Sequence, residues 1–372
     1  MMVIGIDIRD LRVAKTGQKT VTEELCKQFA ASKDPGIEFI FFDSSYPVYT
    51  GKKKWRILIE HIRYQYWKQV VLPVKAWRRN CDIVFCGDYF APYIHLGYRT
   101  VEIFYDAFFF ENPEHCNQLW LKLFHNIALP AARRCDRIMT ITDYSKKRLH
   151  ELAGFPMEKL VTIYPAPKTF QPVDVAPGVP NDLIPVGKKY ILHVGVMEKR
   201  KNLPALIKAF AMLTQKGYDD IDLVLVGQGN GKVYSDDSAQ VLQAIEEYGL
   251  QNRVIRTGYL PDEAIAPIYR NAFLYVFPSL NEGFGIPILE AFRFGLPVIA
   301  ANNTCLPEVG SDGILTCDPY DVTDICIKME SVINDETLRN DLIRKGKERL
   351  AFFSWEKAAS DLINVFKEVA KK

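Results

Sequence analysis

Two carboxylates stand eight residues apart in Asn281-Glu282-Gly283-Phe284-Gly285-Ile286-Pro287-Ile288-Leu289-Glu290. Two glycines and a proline lie between them. Backbone N–H groups of Gly283, Phe284 and Gly285 at the opening of a helix make an anion site, because the helix end carries positive partial charge. Carboxylates beside it accept hydrogen bonds from hydroxyls. A ligand carrying both hydroxyls and phosphates suits that set. A blander reading stays open: a glutamate in a first helical turn complements the dipole without further function, and Glu282 could be a surface loop carboxylate.

A second set lies upstream in Val194-Gly195-Val196-Met197-Glu198-Lys199-Arg200-Lys201-Asn202. Adjacent Arg200 and Lys201 at a strand-to-helix turn suit a diphosphate, since arginine offers a bidentate fork and lysine a point charge. A solvated basic turn is the alternative.

The elements that position these residues can be read from the pattern. Phe273–Phe277 is a continuous apolar run and predicts a buried strand. Pro287 suits a first helical turn, where its missing N–H costs nothing. Ile288, Leu289 and Phe292 give that helix an apolar face, and Gly295-Leu296-Pro297 stops it. Similar runs predict strands at Val3–Ile8, Phe39–Phe42, Asp82–Cys86, Val101–Tyr105 and Arg137–Ile141. Others fall at Tyr190–Val194, Asp222–Val226, Val254–Leu260 and Val298–Ala300. Apolar strands separated by amphipathic stretches are the mark of parallel sheets covered on both faces. Two such sets predict two doubly wound α/β domains. Six prolines between Pro165 and Pro185 mark a linker, placed at 169–188. The domains are thus expected at 1–168 and 189–354, with an amphipathic helix over 355–372.

The chain has 372 residues, a net charge of +2 and 48% hydrophobic residues, which suits a two-domain globular protein rather than a nucleic-acid binder. Its first residues meet charge too early for a signal peptide, and no apolar run is long enough to span a bilayer. Eight cysteines without zinc-site spacing are expected as buried reduced thiols, in keeping with a cytoplasmic protein. Gly51–Arg79 differs in character. It holds Lys52, Lys53, Lys54, Arg56, Arg63, Lys68, Arg78 and Arg79 against one acid, Glu60, interleaved with Trp55, Tyr66, Trp67 and Trp77. Basic residues with interfacial aromatics suit an anionic membrane surface. A solvated helix face packed on its own domain is the alternative.

Glu282–Ala300, EGFGIPILEAFRFGLPVIA, resembles the E-x7-E signature of the retaining glycosyltransferases of family 4. Arg200-Lys201-Asn202 with Glu198 resembles that family's basic turn. The resemblance implies the GT-B fold: two Rossmann-like domains facing a cleft, with the last helix crossing back to the first domain. It implies transfer of a hexose from a nucleotide sugar (GDP-mannose or a UDP-hexose) to a glycan or lipid-linked acceptor, without metal or other cofactor, at the inner face of the cytoplasmic membrane. Arg200, Lys201, Asn202 and the amides of Gly283, Phe284, Gly285 and Ile286 would then meet the diphosphate, with Gly17 facing it. Glu282 would hold sugar hydroxyls and Glu290 the ribose. Gly227, Tyr259 and Leu260 would lie beside the nucleotide. Two departures stand out: Tyr105-Asp106 where the family has His-Asp, and Val196 where it has an arginine or hydroxyl residue. Tyr105 would donate a hydrogen bond to the sugar but cannot act as a neutral-pH base. The rivals are another GT-B enzyme (an epimerase or a phosphorylase) and a scaffold relative without turnover.

Overall fold

The computed structural model describes residues 1–13, 16–44, 46–49, 51, 53–169 and 187–371. Four of the six prolines expected to mark the linker (172, 177, 180 and 185) fall at 170–186, outside the described residues, as does Lys52. The chain divides into two compact units, Met1–Ala166 with Ser354–Lys372, and Pro167–Phe353.

In the first unit the strands are β1 (Met2–Asp7), β2 (Ile37–Phe42), β3 (Ile83–Cys86), β4 (Arg99–Ile103), β5 (Arg137–Thr140) and β6 (Leu160–Thr162). They form one sheet in the order β2-β1-β3-β4-β5-β6, every pair parallel. The helix Trp355–Ala370 closes the core of this unit. Its Phe366 ring meets Phe29 at 6.1 Å and Phe85 at 5.6 Å, so the last apolar stripe of the chain buries one side of the first sheet. Lys367 reaches Asp34 at 3.0 Å across the same seam.

The second unit repeats the plan with β7 (Lys189–Val194), β8 (Ile221–Val226), β9 (Val254–Gly258), β10 (Leu274–Phe277), β11 (Val298–Ala301) and β12 (Ile314–Cys317). Their order is β12-β11-β10-β7-β8-β9, again parallel throughout. β6 and β12 were not predicted. Both are short edge strands, and the threonines in Leu160–Thr162 and Ile314–Cys317 break the apolar run that marks a central strand. All eight cysteines are free thiols, seven buried and Cys26 half-buried.

The basic and aromatic stretch is one continuous helical segment with a surprise inside it. Lys54–Tyr66 runs through a π turn, Trp67–Val71, into Leu72–Arg78. A π turn shifts the helix face, and here it turns two successive side chains inward. Trp67 is 4% exposed and donates its indole N–H to Asp7 at 3.0 Å. Lys68 is 0% exposed and pairs with Asp7 at 2.6 Å and Asp88 at 2.5 Å. Burial works against the Lys68 charge, but Asp7 and Asp88 outweigh it and hold the ammonium above its ordinary range. Trp67 is therefore a core residue, not a surface anchor. Arg63 is also partly occupied, with Glu60 at 3.0 Å and the Pro47 carbonyl at 3.0 Å. Lys53, Arg56, Arg78 and Arg79 remain exposed, beside an apolar face formed by Trp55, Leu58, Ile62, Tyr66 and Trp77. Among the described residues no helix is long and apolar enough to cross a membrane.

Candidate functional site

In an open parallel sheet, ligands bind outside the carboxyl ends of the strands where the winding direction reverses. In the second unit β7 leads to β8 on one side, while β10 lies on its other side and leads to β11. The reversal falls between β7 and β10. The loops leaving these two strands carry Gly195–Asn202 and Pro278–Gly285, the two sets expected from the sequence. They are tied together: the Leu280 N–H donates to the Arg200 carbonyl at 2.7 Å, and Asn202 Nδ2 donates to the carbonyls of Pro278 at 3.2 Å and Pro319 at 2.7 Å. Asn202 takes a left-handed backbone at φ 58° to end the 3-10 helix Lys199–Lys201 and begin Leu203–Gln215. It is a hinge pin for the basic turn, so its amide is committed to the fold rather than to a diphosphate.

Glu282 is the centre of the arrangement. It is 7% exposed and receives Arg200 at 2.7 Å and Lys201 at 2.6 Å. Burial pushes its carboxyl up, but Arg200 and then Lys201 outweigh burial and hold it down to about 2. Arg200 is steered by a second carboxylate, Glu198, at 2.8 Å. Glu198 is in turn fixed by Asn230 Nδ2 at 2.8 Å. Burial lowers the Lys201 ammonium from its ordinary range, although Glu282 pulls the other way. The cations expected to face an anion are thus held in place by carboxylates, which compensate their buried charge.

Below this trio the chain turns into the helix Ile286–Arg293, with Pro287 in its first turn. Gly285 precedes it at φ +94°, and a Cβ there would meet Leu306 Cδ2 at 2.8 Å, so glycine is required on both counts. Phe284 is buried against Phe353 at 5.7 Å, and only its backbone can serve a ligand. Glu290 accepts the Tyr269 hydroxyl at 2.9 Å. Gly227, at φ +126°, lets the ends of β7 and β8 close: a Cβ there would collide with the Gly195 carbonyl. Its N–H donates to Gly258 at 2.8 Å. Tyr259 follows on the surface, 73% exposed, with Leu260 half-buried.

The first-unit candidates behave differently. Gly17, expected to face the diphosphate, lies in the first turn of the helix Thr16–Ala31, downstream of a 3-10 helix at Arg9–Arg12. Tyr105 is buried and donates its single hydroxyl proton to the Gly87 carbonyl at 2.7 Å, with Thr22 Oγ1 at 3.3 Å. Asp106 accepts the Tyr89 hydroxyl at 3.2 Å and the Phe108 N–H at 3.1 Å. The expected Tyr105 hydrogen bond to a sugar is therefore replaced by an internal one. Tyr105→Phe should lower stability by about 1 kcal/mol, the value of one such bond, and leave sugar transfer nearly unchanged. Urea unfolding and a transfer assay on the same preparation check this.

Three residues of the second-unit site escaped sequence reasoning. Glu198 was noticed only as part of a pattern, and Tyr269 not at all. His193 sits within the apolar run Tyr190–Val194, where a single polar residue gave no periodic signal.

A family model described as Glycosyl transferases group 1 matches residues 180–349. O-antigen chain mannosyltransferase B of Escherichia coli is 32% identical over 304 residues, 79% of this chain and 77% of that protein. Serotype-specific mannosyltransferase WbdA, also of Escherichia coli, is 32% identical over 248 residues, 65% of this chain but only 30% of that longer protein. Sucrose-phosphate synthase from Thermosynechococcus elongatus shares the fold at a TM-score of 0.74 and 17% identity, covering 99% of both chains. Anabaena HepE, solved in complex with UDP and glucose, does so at 0.71 and 17% identity, covering 99% of this chain and 100% of that one. The chain belongs to the glycosyl transferases group 1 family, and it is a glycosyltransferase with the GT-B fold.

Proposed function

We propose that this glycosyltransferase moves a hexose from a nucleotide sugar to a glycan or lipid-linked acceptor of a surface polysaccharide, with retention at the anomeric carbon. The observation that carries the reading is the Arg200–Lys201–Glu282 trio at the point where the second sheet reverses its winding. As the bond between sugar and phosphate breaks, negative charge gathers on the leaving diphosphate. Arg200, Lys201 and the amides from Gly283 to Ile286 stabilise that charge, as an oxyanion hole does. Glu282 gives up part of its hold on the cations and takes sugar hydroxyls. Glu290 takes the ribose hydroxyls. The acceptor hydroxyl attacks from the face the diphosphate is leaving and passes its proton to the departing phosphate oxygen. In this reading side chains and amides supply the stabilisation, and no cofactor is assigned.

GDP-mannose is the first donor to test, because the relatives at 32% identity are named as mannosyltransferases. A UDP-hexose is the second, favoured by the UDP held in HepE. The exposed cations and aromatics of the segment from Lys53 to Arg79, without Trp67, are proposed to lie on an anionic membrane surface at its cytoplasmic side.

Thermal unfolding with UDP, GDP, dTDP and CMP in turn tests the donor site. A ligand at a hundred times its dissociation constant adds about 2.7 kcal/mol. One nucleotide should raise Tm, and Glu290→Ala should abolish the rise while leaving the unliganded stability within about 1 kcal/mol of wild type. No shift with any nucleotide removes the donor site from Glu290 and favours the scaffold reading. Product analysis then separates transfer from phosphorolysis or epimerisation, and the anomeric configuration of the product tests retention.

A further inference from the structure

His193 ends the buried part of β7 with its ring stacked on Tyr275, at 6.3 Å, and on Phe277, at 5.7 Å. It is 0% exposed. Nδ1 lies 3.0 Å from the Val276 carbonyl oxygen. A carbonyl only accepts, so the proton is on Nδ1 and Nε2 carries a bare lone pair. That Nε2 is buried and has no hydrogen-bond partner. Buried acceptors are rarely left so, and one beside a site asks for an explanation.

Its surroundings supply one. The point where a Cβ on Gly195 would sit is 3.4 Å from His193 Nε2, 3.5 Å from Lys201 Cε and 3.9 Å from Lys201 Nζ. Glycine at 195 thus keeps open the space between an unpaired acceptor and a buried ammonium. Lys201 Nζ also lies 4.6 Å from the centre of the Phe277 ring, the ring on which His193 stacks. The ammonium has three N–H donors, and Glu282 takes one.

We propose that His193 is a positioning residue for Lys201, its neutral Nε2 receiving an ammonium N–H when a bound diphosphate draws Lys201 away from Glu282. The proposal rests on the reading above, in which Lys201 meets the diphosphate. A neutral acceptor holds the ammonium without adding charge, whereas a carboxylate there would compete with the ligand and an imidazolium would repel it. Among the described residues, the charged and titratable groups around the pair are Glu282 in the loop after β10, Cys305 after β11, whose thiol donates to the Glu282 carbonyl, Arg200 and Glu198 in the loop after β7, and Tyr275 on β10. Burial keeps His193 neutral, at about 4, with Lys201 pushing in the same direction and Glu282 opposing.

The test reads Lys201 itself. Competitive acetylation followed by mass spectrometry gives the Lys201 titration midpoint in the full chain, with and without saturating GDP or UDP. Wild type, His193→Phe, His193→Gln and Gly195→Ala are compared. Phenylalanine keeps the stacking and removes the acceptor, while glutamine restores an acceptor oxygen near Nε2. Gly195→Ala fills the space between Nε2 and Lys201, and it serves should His193→Phe fail to fold. Without nucleotide, all four should titrate alike. With it, His193→Phe and Gly195→Ala should fall roughly one pH unit below wild type, the equivalent of one charge-assisted hydrogen bond, and His193→Gln should match wild type. Nucleotide binding with equal midpoints in all four overturns the proposal and leaves the donor site intact. No binding of either nucleotide to wild type sinks the reading it rests on, and the proposal with it.

Discussion

Glu282→Ala should cost about 3–5 kcal/mol of stability and slow sugar transfer by at least about a hundredfold. Glu282 is buried and is the shared partner of Arg200 and Lys201. Removing it leaves Arg200 and Lys201 repelling each other, with Glu198 the remaining carboxylate bound to Arg200 among the described residues. Breaking a buried pair is costly because the remaining charge keeps its desolvation penalty and loses its compensation. The same residue predicts acid sensitivity. Its carboxyl is held at about 2 against an ordinary 4.5, so the unfolded chain takes the proton first as pH falls. The contribution is complete above 4.5, declines as pH drops and is gone below about 2, and that displacement corresponds to about 3 kcal/mol. Urea unfolding of wild type and Glu282→Ala at pH 7 and pH 3 measures both effects. Equal stability of the two proteins at pH 7 would mean that the trio is not a compensated unit.

The second large effect runs the other way. Glu102 lies on β4 with 0% exposure, and neither carboxylate oxygen has a hydrogen-bond partner. The Cys135 thiol is beside it but donates to the Ala132 carbonyl at 3.0 Å. Burial pushes the Glu102 carboxyl up to about 8, so the folded protein holds the proton at pH 7 while the unfolded chain, at an ordinary 4.5, has lost it. Here the folded state binds more protons, and stability falls as pH rises between those two values. Glu102→Gln has nearly the same shape and does not titrate. It should match wild type near pH 5 and exceed it by up to about 5 kcal/mol near pH 9. Parallel stability curves for the two proteins across that range would show that Glu102 is solvated or paired after all.

Much of the second unit could be read from residues alone. A strand, a glycine loop and a helix opened by Pro287 are local features, and local features follow from local chemistry. Arg200 and Lys201 were legible as cations but not as partners of Glu282, because that pairing joins positions 82 and 81 residues apart. The first unit hid more. A helical period of 3.6 places Trp67 and Lys68 with the neighbouring basic and aromatic residues, and only the π turn moves them inside. Tyr105 looked available for a ligand because its partner, the Gly87 carbonyl, is a backbone group that no side-chain pattern announces. His193 was lost for the opposite reason. In an apolar strand the eye counts it as an interruption, although its neighbours across the sheet decide which nitrogen is left bare.

The helix Trp355–Ala370 also fixes an order of events during synthesis. The first sheet emerges from the ribosome early, yet Phe366, which covers Phe29 and Phe85, is made only after the whole of residues 167–353. At about 5–20 residues per second that interval is roughly ten to forty seconds. Throughout it the nascent first unit lacks the ring that covers Phe29 and Phe85. The first unit is therefore begun first and completed last, because its closing helix follows the whole second unit in the chain.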